Sequence, residues 1–298
     1  MNLQSVLDKA ARKVKYQYLI QLLDEKADFP YAVVKGEPLS VLAYGAAGLR
    51  HSGDIDVLVD KKDLKALEKI LREDGFQSTE LSRQEKIVAR AFSHQIEPYH
   101  KQLSLGTLEV DINYEVIWGE WQGKKPSVQE MLERRQTLDI FGVPVPALSV
   151  EDAFVQLCLH HYKDMNVLFH LTLHNPISRK LFEDVAGFWK RQVGRLDLVK
   201  LTAQIEEYQL TPFFYYIAYY TAKVCQVEDL EEWAKQLETP EGIQLLNTFG
   251  LAESERKVWP IPFEERLDNE KLPELVRSML TEKELEKAEQ NHKIFGGS

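Results

Sequence analysis

The sequence predicts an α+β fold, with a strand-containing N-terminal domain over residues 1–148 and an α-helical domain over 149–298. Three observations predict it. Short β-branched runs alternate with helical segments as far as about residue 148. From Ser149 onward the periodic segments repeat as helices. Two of the early apolar runs also carry carboxylates at alternate positions, as strands with one polar face do.

Each element follows from its residues. The opening stretch MNLQSVLDKAARKVKYQYLIQLLDEK reads as an amphipathic helix, without the short apolar core and small-residue cleavage site of a signal peptide. YAVVKG (31–36) is a short strand, and EPLSVLAYGAAG a short helix with Pro38 tolerated in its first turn. DIDVLVD is the next strand, and KKDLKALEKILREDG an amphipathic helix closed by Gly75. GTLEVDINYEV (106–116) alternates with a period of two, and TLDIFGVPVPAL predicts a hairpin leading out of the domain. Ser149 with Asp152 forms a capping box opening the helix VEDAFVQLCLHHYKD. Helices are expected at about 176–193, 195–208, 211–225 and 228–249, and a last one at about 273–292.

Composition narrows the class. Among 298 residues, Lys+Arg 37 stand against Asp+Glu 47, a formal net charge of -10. That balance disfavours a long nucleic acid as partner, which calls for clustered positive charge. No run approaches the roughly 18–20 apolar residues of a membrane span, so no membrane partner is expected. The two cysteines, Cys158 and Cys225, sit in apolar helical patterns, which points to a reducing, cytoplasmic setting.

The chemistry concentrates in RHSGDIDVLVD (50–60). On a strand Asp54 and Asp56 face one side, and Ile55, Val57 and Val59 the other. Two carboxylates so close raise each other's pKa and repel unless a cation lies between them. The surrounding run is too apolar for an exposed edge strand whose polar face merely happens to be acidic. In LEVDINY, Glu109, Asp111 and Asn113 likewise share a face. If the two strands are sheet neighbours, Asp54, Asp56 and Asp111 converge. Three hard oxygen ligands of this kind suit Mg²⁺ or Mn²⁺ and a phosphate substrate. Two such ions about 3.5–4 Å apart activate a hydroxyl and neutralise a leaving pyrophosphate.

With these residues in place, VVKGEPLSVLAYGAAGLRHSGDIDVLV resembles the signature of an uncharacterised nucleotidyltransferase family in the DNA polymerase β-like superfamily. EVDINY resembles that family's third-carboxylate strand, and LSVEDAFVQLCLHHYKD with RKLFEDVAGFW resembles its helical C-terminal domain. The resemblance spans roughly residues 30–190. It implies a mixed β-sheet flanked by helices, with Asp54, Asp56 and Asp111 as catalytic metal ligands and Asp111 placed to help deprotonate the acceptor. It further implies nucleotide-binding roles for Lys35 and Gly36 in a phosphate-binding turn, and for Arg50 and Ser52 as secondary phosphate contacts. The superfamily's more usual turn is Gly-Ser or Gly-Gly, which Lys35-Gly36 replaces here.

Other features carry competing readings. His160 and His161 lie on an apolar helix and read as core or supporting histidines, although the resemblance implies that one of them faces the cleft, and Asp184 reads equally as an acceptor-side acid or a helix charge. His170 and His174, four apart, lack the cysteine partner or H-E-x-x-H pattern of a zinc site. PFFYYIAYY (212–220) reads as helix packing rather than a base-stacking platform.

The expectation is an Mg²⁺- or Mn²⁺-dependent enzyme that moves a nucleoside monophosphate from an NTP, ATP foremost, to a hydroxyl or phosphate acceptor. That acceptor is a small molecule, peptide or protein, and the helical domain forms its side of the cleft. The rivals are a non-catalytic nucleotide-binding module and a phosphotransferase. The second lacks a P-loop and kinase-like H-R-D and D-F-G motifs.

Overall fold

In the computed structural model the described residues are 3–50, 53–78 and 93–295. Their mixed β-sheet is seven-stranded and flanked by helices, and a largely helical C-terminal region follows. The strands are β1 (Tyr31–Val34), β2 (Ile55–Val59), β3 (Gln77–Ser78), β4 (Tyr99–Leu103), β5 (Gly106–Asn113), β6 (Gln136–Ile140) and β7 (Val143–Ala147), in the spatial order β3-β4-β5-β2-β1-β7-β6. β2 runs antiparallel to β1 and parallel to β5, so both acidic strands lie side by side in the middle of the sheet. One sheet face is apolar: Val33, Val57, Val110 and Ile112 pack with Leu19 and Leu23 of α1 (Leu3–Lys26) and Leu67 of α3 (Leu64–Glu73). α3 ends as its sequence predicts, with Gly75 at φ 86 and the Phe76 amide returning to the Leu71 carbonyl.

The predicted hairpin forms, with Phe141 and Gly142 both at positive φ in its two-residue turn. It also joins the main sheet before the chain passes into the second unit at Phe154. Val143, Val145 and Ala147 point their apolar side chains into the core, and Ala147 pairs with Val33 of β1, which draws β7 and β6 into the main sheet. The 36–44 segment also differs from a plain helix. It is a single α-turn, α2 (Gly36–Leu39), running into a π-helical turn at Ser40–Tyr44 that Gly45 closes at φ 89.

Contacts divide the chain into two compact units, residues 1–116 with 126–153, and 117–125 with 154–298. α4 (Val128–Glu133) belongs to the first. At its end Arg134 grips Asp152 through two hydrogen bonds of 3.1 and 2.9 Å. Asp152 in turn closes the predicted capping box with Ser149, at the start of α5 (Val150–Asn166).

The second unit is helical around an aromatic core. In it Trp118 stacks on Tyr162, Phe154 meets Trp189 and Trp233, and Phe213, Phe214 and Tyr216 of PFFYYIAYY are fully buried, as packing predicts. Two long helices expected there are each broken. Thr239 caps a new helix with Pro240 in its first turn, splitting 228–249 into Glu228–Gln236 and Pro240–Leu246. Thr281 and Glu284 form a second capping box that splits the C-terminal segment into Leu272–Met279 and Glu282–Phe295. A two-stranded ribbon, Thr248–Phe249 with Lys257–Val258, also interrupts the helices.

Candidate active site

Sheet register builds the site. Asp56 is paired across the ladder with Val34 on one side and Asp111 on the other, so two carboxylates from segments distant in sequence become neighbours. Both are 4% exposed. Asn113, two residues along the same face of β5, donates from Nδ2 to Asp56 Oδ1 at 3.1 Å. Asp54 lies one residue before β2 and is half-buried, sharing a small cleft with Arg12, Lys15, Tyr16 and Glu37.

The opposing charge comes from the β1–α2 turn. Lys35 sits at φ 54 and ψ −138, and Gly36 follows at φ 28. A side-chain-bearing residue in that conformation is strained and persists only where its surroundings hold it. What holds Lys35 is its ammonium, which donates to Asp56 Oδ1 at 2.5 Å and lies 3.5 Å from Asn113 Oδ1.

The electrostatics follow from this crowding. Burial raises the Asp56 pKa, with Asp54 adding to the rise and Lys35 opposing it. Asp111 is pushed up to about 7, first by burial and then by Asp56 and Asp54. Asp111 Oδ1 is buried and accepts no hydrogen bond. The unsatisfied Asp111 oxygen, the Asp54 and Asp56 carboxylates within electrostatic reach and the Asn113 amide oxygen are donors of the kind a hard dication prefers. Among the described residues, however, no three His, Cys, Asp or Glu side chains are gathered closely enough to hold one ion. On Asp56, Oδ1 already carries the Lys35 ammonium.

The remaining predicted residues fall as follows. Arg50 contributes its backbone, its amide donating to Ser40 Oγ and its carbonyl accepting from Arg12. Ser52 lies outside the described residues. His161 and Asp184, both buried in the second unit, approach to 3.6 Å, whereas His160 pairs with Asp164 at 3.2 Å. The rings of His170 and His174 are 5.5 Å apart.

Three residues at the site escape the sequence reading. Glu37 is fully buried, receives Arg12 at 2.5 Å, and accepts the Gly48 amide. Ser40 donates to the Ala46 carbonyl and accepts from Leu49 and Arg50. Together with Arg12 they fasten the 45–50 loop that precedes Asp54. The available signals are Glu37 inside an apolar run and the spacing of Arg12 with Tyr16, Leu19 and Leu23, which places a cation on the buried stripe of α1.

The acidic strand pair and the lysine turn are the candidate active site of this fold. Residues 3–226 match the family described as uncharacterised nucleotidyltransferase, and the chain belongs to that family and is a nucleotidyltransferase. A search among curated proteins gives no match. Three solved structures resemble it loosely. The antibiotic-resistance factor ANT(2'')-Ia in solution is 12% identical, covering 66% of this chain and 92% of its own, with a TM-score of 0.38. A nucleotidyltransferase-like antigen from Paracoccidioides brasiliensis is 16% identical over 76% of this chain and 93% of its own, with a TM-score of 0.39. A Thermotoga maritima protein described as a nucleotidyltransferase is 18% identical over 48% and 82%, with a TM-score of 0.33. Among the described residues no helix is long and apolar enough to cross a membrane.

Proposed function

We propose that the protein transfers a nucleoside monophosphate from an NTP, ATP foremost, to a hydroxyl or phosphate on a small-molecule, peptide or protein acceptor, and releases pyrophosphate. The observation that carries this reading is the register pair Asp56–Asp111 with its unsatisfied Asp111 oxygen. Asp54, Asp56 and Asp111 would hold Mg²⁺ or Mn²⁺, which when bound neutralises phosphate charge and favours the ionised nucleophile.

The chain's own groups supply the rest. The acceptor oxygen attacks the α-phosphorus, the bond from that phosphorus to the oxygen bridging to the β-phosphate breaks, and pyrophosphate leaves. The acceptor proton passes to Asp111, the carboxylate whose Oδ1 carries no other hydrogen bond. Gly36 lets the backbone approach the triphosphate, and Lys35 supplies a positive charge beside it. The 45–50 loop, fixed by Arg12, Glu37 and Ser40, holds Arg50 in position as a secondary phosphate contact. The two free thiols, Cys158 and Cys225, fit a reducing cytoplasmic setting.

Calorimetry of ATP and the other NTPs, with Mg²⁺ and with chelator, tests this on the wild type and on Asp54→Asn/Asp56→Asn. Metal-dependent binding lost in the double variant is the expected result, followed by pyrophosphate rather than ADP as product. If no NTP binds, or the variant binds as well as the wild type, the reading is overturned.

A further inference from the structure

We propose that Lys35 is a built-in counter-cation that reserves the carboxylate site, so that a divalent ion is admitted only together with a nucleotide whose phosphates take over the lysine's charge. The inference rests on the reading above of a metal-dependent nucleotide site and deepens it, assigning the order in which that site fills.

Val34 is the ladder partner of Asp56, and Lys35 is the next residue along the chain. An ordinary extended continuation would carry residue 35 onward with the strand. The left-handed turn at Lys35 instead folds the side chain back over the carboxylate face, where its ammonium reaches Asp56 Oδ1 at 2.5 Å with Asn113 Oδ1 on its other flank. Both partners are desolvated, the lysine side chain 13% and the aspartate side chain 5% exposed. A partly buried ammonium held on a buried carboxylate by a strained turn is a costly arrangement. Its benefit here is electrostatic, since Asp111 and Asp54 crowd the same aspartate.

A dication ligated by Asp56 and an ammonium hydrogen-bonded to the same oxygen would stand within a few ångströms of each other in a low-dielectric setting. They repel, so one displaces the other. An ion arriving alone must expel the lysine with no anion to receive it. An ion arriving with a triphosphate brings that anion, and Lys35 needs only to turn within the same Lys35–Gly36 turn. Metal and nucleotide affinities are therefore coupled through one side chain, and the coupling is reciprocal.

The test is calorimetry of Mn²⁺ on the full chain, with and without the non-transferable analogue α,β-methylene ATP, for the wild type, Lys35→Met and Lys35→Gln. The glutamine variant keeps a hydrogen-bond donor for Asp56 without the charge, and circular dichroism verifies that each variant is folded. In the wild type the analogue is expected to tighten Mn²⁺ binding at least tenfold. Without the analogue, both variants are expected to bind Mn²⁺ at least tenfold more tightly than the wild type, and the analogue adds little further. A purely structural lysine would not move this coupling factor. Mn²⁺ binding in the variants equal to or weaker than in the wild type overturns the inference and leaves the metal-dependent reading standing. So does a wild type in which metal and analogue bind independently, a result that needs no variant to fold. If Mn²⁺ binds to none of the three proteins with or without the analogue, the metal-dependent reading falls and the inference falls with it.

Discussion

Replacing Asp111 with asparagine should stabilise the metal-free protein while abolishing nucleotide transfer. The side chain is 4% exposed, its Oδ1 accepts no hydrogen bond, and its ladder neighbour is Asp56. A rise in pKa from 3.8 to about 7 corresponds to about 4 kcal/mol lost when the carboxyl ionises in the fold, at about 1.36 kcal/mol per tenfold change in proton affinity. The sign is set by the direction of the rise. The folded protein holds this proton more tightly than the unfolded chain, so the group's contribution is most favourable below about pH 4 and is lost as pH rises through about 7. Asparagine removes the charge but leaves a buried amide to satisfy, at a cost of about 1–2 kcal/mol. The net gain at pH 8 is about 2–3 kcal/mol, or several degrees in Tm. Urea unfolding in chelator at pH 8 and at pH 5 measures it. At pH 5 the wild-type carboxyl is already protonated, so the advantage of the variant should shrink to within about 1 kcal/mol. A variant that is less stable at pH 8, or equally favoured at both pH values, would refute the account of Asp111 as a strained charge.

Two further outcomes follow from other parts of the fold. Arg12→Met strips the buried Glu37 of its cation and should destabilise the first unit by about 3 kcal/mol, since an uncompensated buried charge is left behind. Urea unfolding measures the loss, and Arg12→Met/Glu37→Gln should recover part of it. His170 is lowered from 6.5 to about 4 by burial, with Lys163 and His174 adding to the effect and Asp164 opposing it. Its contribution is therefore complete above about pH 6.5 and is lost as pH falls toward 4, by about 3 kcal/mol. His170→Gln should lack that component, visible as a pH-dependent difference from the wild type in thermal unfolding, and an identical slope for both would count against it.

The two titrations run in opposite directions, His170 weakening the fold where acid relieves Asp111. The wild-type pH curve alone would thus conceal both, and single-site variants are needed to separate them.

The legible and illegible parts of the molecule differ in kind. β2 and β5 are readable because a period of two puts Val57, Val110 and Ile112 on one face and Asp56 and Asp111 on the other. The capping box at Ser149 is readable because its residues are three apart and satisfy each other. The hairpin of β6 and β7 is readable as a hairpin but not in its destination, because pairing with β1 joins Val33 to Ala147 across more than a hundred residues. Nothing local encodes a register of that range. The split helices are a different case. Thr239-Pro240 and Thr281 with Glu284 are ordinary start signals, outweighed on a first reading by the continuing apolar period around them.

Lys35 is the most instructive residue. Its position after a strand and before glycine is plain in the sequence, and charge near phosphate is the natural inference. That it folds back onto Asp56 depends on a positive φ that a lysine adopts only under constraint, and the constraint comes from Asp56 and Asn113 on two other strands. The same is true of Asp111, unremarkable by itself on a surface strand and costly only once the sheet sets it against Asp56. Strained backbone, a buried ion pair and an unsatisfied carboxylate oxygen therefore occur together, within two neighbouring ladder positions. A fold selected for stability alone would have removed each of them with a single substitution. Their concentration at one place is the physical reason to look for the chemistry there.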